Sequence, residues 1–110
     1  MATAEYWQRG ETLDYTNSTN ATIPAGTIVS LGSRIGVAGG DIEPSKLGAL
    51  HVCGVFEIAK TSSSAISMGD VVYFDGTGIT GTSGTGTIEV GYAAAAAAAS
   101  DTTVLVKLRG

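Results

Sequence analysis

The stretch Ile23-Pro-Ala-Gly-Thr-Ile-Val-Ser-Leu-Gly-Ser-Arg-Ile-Gly-Val-Ala38 reads as one β-hairpin with its entry turn. Pro24 pre-sets φ for a turn and Gly26 supplies a position that tolerates φ > 0. Thr27–Leu31 and Arg34–Ala38 are short β-branched runs separated by Gly32-Ser33, the length and chemistry of a tight II′ hairpin. Gly39-Gly40-Asp41 then stops the second run.

The same grammar continues on both sides. Thr12–Thr16 alternates polar and apolar residues, as a half-buried strand does, and Asn17–Asn20 is a turn cluster. Asn17 and Asn20 both stand in N-x-S/T sequons, which read as turn residues in a chain whose start, MATAEYWQRGE, has no secretory pattern. Residues 41–48 read as a connector with room for one helical turn. Residues 49–60 form the longest strand expected, with Leu50, Val52, Phe56 and Ile58 on one face and His51, Cys53, Val55 and Glu57 on the other; Gly54 marks a bulge or close approach. Val71–Phe74 has the continuous apolar run of a central strand covered on both faces. Residues 75–87, DGTGITGTSGTGT, read as a glycine-rich surface loop or hairpin tip. Ile88–Tyr92 alternates again, and seven alanines follow, Ala93–Ala99. They are too few for an isolated helix and no N-cap precedes them, so continuation of the strand is expected, with a short helix as the alternative. Thr103–Leu108 alternates cleanly and pairs with the segment from Ile88. No repeat of 20 to 50 residues is evident. Seven or eight short strands with regular turn signals make an all-β chain, a small barrel or sandwich.

Size and composition limit what this domain does. At 110 residues it holds one modest core. Its hydrophobic fraction of 44% includes 15 alanines, and only 15% of residues are charged, so part of the surface is expected to be covered by partners. A net charge of −4 with six scattered basic residues argues against nucleic acid and against anionic membranes. No apolar run is long enough to span a bilayer, and a cytoplasmic, soluble product is expected. One cysteine excludes an intrachain disulfide, and one histidine excludes a multi-histidine metal site.

No catalytic constellation emerges. Gly76-x-Gly78-x-x-Gly81 matches a dinucleotide fingerprint as a string, but Thr-Ser-Gly-Thr-Gly-Thr cannot start the helix that would hold a pyrophosphate. His51 and Cys53 lie two apart on a strand without an orienting carboxylate or an oxyanion site. Asp14, Asp41, Asp70, Asp75 and Asp101 sit at strand ends as turn formers, and Asp75-Gly-Thr-Gly is too poor in carboxylates for calcium. No catalytic residue, cofactor site or metal site is therefore expected. Residues 1–11 read as an extended arm ahead of a body at 12–110. Exposing Tyr6 and Trp7 on an arm requires something to receive them, either the body's own core or a partner.

The ordered series Gly10-Glu-Thr-Leu-Asp-Tyr-Thr16, Ile23-Pro-Ala-Gly-Thr-Ile-Val-Ser-Leu31, Ile35-Gly-Val-Ala38, Asp41-Ile42, Gly54-Val-Phe-Glu-Ile-Ala-Lys60, Met68-Gly-Asp-Val-Val-Tyr73, Gly91-Tyr-Ala93 and Val104-Leu-Val-Lys-Leu108 resembles the phage capsid-cement, or head-decoration, family. Here Glu43-Pro-Ser-Lys46 stands where that family usually has a glycine-rich stretch. The resemblance implies a β-tulip type of barrel or sandwich, like the lambdoid head-decoration proteins. It also implies homotrimers on the outer surface of a tailed-phage virion, at three-fold and quasi-three-fold positions, bound to the major capsid protein. On that reading the arm residues Tyr6, Trp7, Gln8 and Arg9 contact the capsid by strand addition, and Ala93, Ala95 and Ala97 are candidate subunit contacts. The competing expectation is a binding module whose 75–87 loop contacts host glycans.

Overall fold

The structure is a computed structural model and describes residues 2–6 and 10–109. Among the described residues there is no helix and there are nine strands: β1 Thr12–Thr16, β2 Ile28–Ser30, β3 Ile35–Ala38, β4 Leu47–His51, β5 Cys53–Ala59, β6 Val71–Phe74, β7 Ile79–Thr80, β8 Ile88–Ala93 and β9 Thr103–Arg109. They form two antiparallel sheets, one ordered β1-β4-β3-β2 and the other β5-β9-β8-β6-β7. The sheets do not close, so the all-β architecture is sandwich-like rather than a barrel.

Local chemistry accounts for most elements. The β2–β3 hairpin closes with the Leu31 amide donating to the Arg34 carbonyl at 2.7 Å, and Gly32 takes φ +88°, the positive value a II′ turn needs at its first corner. In β9, Val104, Val106 and Leu108 are buried while Leu105 and Lys107 face outward, the alternation read from the sequence.

Five expectations are corrected. Residues 49–60 are two strands in different sheets, broken at Val52, whose amide donates to the Glu11 carbonyl at 3.0 Å in the β1–β4 register before the chain crosses to the other sheet at β5. Residues 43–46 form a tight turn rather than a helical one, closed by Lys46 N to Glu43 O with Ser45 at φ 65°. β6 is covered on one face only, since Val71 is exposed while Val72 and Phe74 are buried. The glycine-rich stretch 75–87 is partly ordered in the sheet: Ile79 pairs with Phe74 and is fully buried. The alanine run is strand only as far as Ala93. Long-range acceptors then take its amides (Ala93 to Asp70, Ala94 to Leu105, Ala97 to Ile66), which leaves no helical ladder to form.

A sixth correction concerns repeats, because the two sheets are two copies of one unit. β1 to β4 correspond in order to β5, β6, β8 and β9, and the β6–β8 connection is longer by the segment carrying β7. The pairings match position for position. Leu13↔Leu50 corresponds to Phe56↔Val106, and Tyr15↔Gly48 to Ile58↔Val104. Ile28↔Val37 corresponds to Val71↔Tyr92, and Val37↔His51 to Tyr92↔Lys107. The isolated bridge Ile23↔Ile42 recurs as Ile66↔Ala97. The correspondence slips only at Tyr73, where a bulge in the β6–β8 ladder pairs it with Glu89. Gly91 lies beside that bulge at φ 152°, where an added Cβ would meet the Lys107 carbonyl oxygen at 1.9 Å.

Each unit has a front and a back face. The first unit's front carries Tyr15, Ile23, Val29, Ala38, Ile42 and Leu50, which form a small core of their own. Its back, Ile35 and Val37 with Ile28 at the margin, joins the main core, which also contains Ile58, Val72, Phe74, Val104, Val106 and Leu108 from the second unit's front. The back of one copy thus packs on the front of the other, and the His51 ring lies against Phe56 at 6.1 Å across this seam.

Asn17, the one fully buried polar side chain among the described residues, ties the first unit's loops together. Its Nδ2 donates to the Ala21 and Ile42 carbonyls, both at 2.8 Å, and its Oδ1 accepts from Thr19 N and Oγ1. At the matching position of the second unit, Lys60 donates through Nζ to the Ser62 and Ala99 carbonyls. Asn17→Ala removes these four bonds and leaves a gap at a fully buried position, so urea unfolding should show a loss of about 2–4 kcal/mol. A loss below about 0.5 kcal/mol, the scale of a surface substitution, would contradict this account.

Candidate functional site

The residues singled out from the sequence scatter over the molecule. Residues 2–6 are exposed, and Tyr6 presents 81% of its surface to solvent. Trp7, Gln8 and Arg9 lie outside the described residues. Ala93 and Ala97 turn their methyls into the chain's own main core, and of the three alanines only Ala95 has partial surface to offer a neighbour.

His51 and Cys53 line one shallow surface cleft with Glu11, Thr12 and Gly54. They end β4 and begin β5, so they belong to different sheets. His51 packs its ring on Phe56, and among the described residues no hydrogen bond joins it to Cys53 and no cluster of His, Cys, Asp or Glu could hold a metal.

Four of the five aspartates expected at strand ends are occupied in turns, whereas Asp14 lies in the middle of β1, paired with Ala49. Asp41 accepts from the Ala25 amide at 2.8 Å, Asp70 from Ser67 at 2.9 Å and Asp101 from Ala98 at 2.8 Å. Asp75 accepts from the Thr77 and Gly78 amides through Oδ1 and from the Thr61 hydroxyl through Oδ2. These aspartates serve the backbone, and the glycine string around Asp75 is a closed turn leading into β7. No phosphate cradle is formed there.

Large apolar side chains remain exposed on both units. On the back of the second unit, Val55, Lys107, Tyr92 and Val71 stand side by side across four paired strands, with Leu105 alongside on β9. Val55 is 54% exposed, and Tyr92, Val71 and Leu105 are also exposed. On the front of the first unit, Leu13, Leu31 and Val52 line a groove of about 290 Å³ with Gly10 and Arg34. The sequence placed Leu105 and Val55 on the faces opposite their buried neighbours. It did not show that those faces stay bare, because that depends on how the sheets stack.

Fold and surface together describe a two-sheet β-sandwich with large apolar side chains left exposed on both units. The phage cement protein family matches residues 7–108, and the chain belongs to that family. It is accordingly a structural protein of the phage capsid. Comparison with curated proteins and with solved structures found no match.

Three hydrogen bonds to Asp75, the strongest from Thr61, hold its carboxyl below the usual aspartate range. A group whose pKa is depressed by folding stabilises the fold above its unfolded pKa, about 3.9 for aspartate. That contribution is lost as pH falls through the lower, folded value. Asp75→Ala should therefore be less stable than wild type at neutral pH, and the gap should narrow on acidification below about pH 4. Denaturant midpoints measured across that range test this, and a gap that stays constant down to the acid limit would count against it.

Proposed function

We propose that this chain decorates the outer face of a tailed-phage head as trimers at three-fold and quasi-three-fold positions, bracing the shell against internal pressure. The carrying observation is the family match over nearly the whole body, joined to a sandwich whose polar groups serve its own turns. The arm supplies the attachment. Tyr6 stands in solvent ahead of β1, and Tyr6, Trp7, Gln8 and Arg9 add as a strand to an exposed sheet edge of the major capsid protein, with the two rings as anchors. A net charge of −4 suits the outer face better than the DNA-lined interior. Many copies binding one lattice raise shell stability even where each contact is weak.

The glycan-binding alternative has no support in the 75–87 segment, which carries no aromatic residue and buries its one large apolar side chain, Ile79. The test is removal of residues 2–10. The truncated body should unfold at the wild-type midpoint but bind expanded heads at least roughly a hundredfold more weakly, the scale of losing two aromatic anchors. Co-sedimentation with purified heads reads this directly, and full decoration by the truncated protein would remove the arm from the account.

A further inference from the structure

The duplication leaves two faces without their counterparts. Within the chain, the back of the first unit (Ile28, Ile35, Val37 and His51) is seated on the front of the second, against Phe56, Phe74 and Leu108 of the main core. Position matching gives the counterpart of each surface. The back of the second unit presents Val71, Tyr92 and Lys107 where the first has Ile28, Val37 and His51. Val37 is 6% exposed under its cover, whereas Tyr92 is 36% exposed. On the other side, Leu13, Leu31 and Val52 hold the positions of Phe56, Phe74 and Leu108. In the second unit those positions receive the neighbouring unit's back; in the first, Leu13 and Leu31 are exposed along a groove whose floor, Val52, is buried.

We propose that the back face around Tyr92 packs into the Leu13–Leu31–Val52 groove of a second copy of this chain, repeating between chains the contact that joins the two units within one. This deepens the decoration reading by naming its self-contact, and rests on that reading only for where the assembly works. The observation that selects a second copy as occupant is continuity with the internal seam. The donor face and the acceptor groove are the two unmatched ends of a back-to-front series already realised once in the molecule. Such a contact is heterologous, with different patches meeting, so rotation must close it into a ring or it would run on as a filament. A ring of chains places every unit in the same back-to-front relation.

Two single variants isolate the two faces. Tyr92→Asp puts a charge on the donor face and leaves the groove intact; Leu13→Asp does the reverse. Light scattering with sedimentation on the purified full chain should give a multi-chain wild type and single-chain variants with unchanged far-ultraviolet dichroism. An equimolar mixture of the two variants should give a two-chain species, because one intact donor face and one intact groove remain between them. A wild type that stays single at high micromolar concentration would overturn the proposal, as would either variant assembling like wild type or a mixture that stays single. Should a charged variant fail to fold, the triple variant Cys53→Ser, Leu13→Cys, Tyr92→Cys replaces it. Disulfides form only where Cα atoms come within about 7 Å, so oxidation should link its chains into ladders on a non-reducing gel, and the absence of ladders overturns the contact. Head binding is scored separately. Wild-type rings that ignore expanded heads would sink the decoration reading and leave this contact standing, and single chains that still coat heads would do the opposite.

Discussion

The structure depends on one contact, the seating of the first unit's back face on the second unit's front. Ile35 and Val37 share a core with Ile58, Val104 and Leu108, and the His51 ring rests on Phe56. Neither unit buries enough apolar surface to be stable alone, since so short a chain hides too small a share of its surface. The first unit's private core holds three fully packed residues, Ala38, Ile42 and Leu50, and is closed over by its own loops. Docking the two units converts two half-covered sheets into one sandwich with a contiguous apolar interior. The break at Val52 makes that possible. A continuous strand through 49–60 would have kept both units in one sheet with their faces side by side, whereas the change of sheet turns the second unit over the first.

Around this core the polar residues act locally. Four aspartates hold turns through backbone amides, and Asn17 and Lys60, at matching positions, each draw two carbonyls together. Among the described residues no buried side-chain polar atom lacks a partner. The buried polar groups are thus satisfied within the fold.

The strand content was legible in the sequence because alternation and glycine turns are local signals. The β2–β3 hairpin and β9 were read nearly to the residue. What escaped was set by tertiary structure. The break at Val52 has only Gly54, at φ 113°, as a local marker; both halves of 49–60 carry strand alternation, and that glycine signals an irregularity without saying that the chain changes sheet. The threonine-glycine stretch hid β7 because a single apolar residue, Ile79, is enough to anchor two strand residues. The duplication escaped because the repeat period is not constant: Ile23-Pro-Ala-Gly-Thr-Ile-Val matches Ile66-Ser-Met-Gly-Asp-Val-Val, but the β7 insertion then displaces Ile35-Gly-Val-Ala from Val90-Gly-Tyr-Ala. Of the binding surface, the bare faces needed the stacking of the sheets to be seen.

The units differ where duplication alone would have kept them alike. Ala97 stands at the position of Ile42, and Ala93 matches Ala38, so the alanine run leaves the second front face shallower at that end. The same cluster takes in Ile79 from the inserted hairpin, an apolar side chain with no counterpart in the first unit. The alanines are therefore read best as room made inside the chain, whereas Tyr92, in place of the covered Val37, marks the surface turned outward. A large amphipathic ring can cover apolar neighbours while its hydroxyl stays in water.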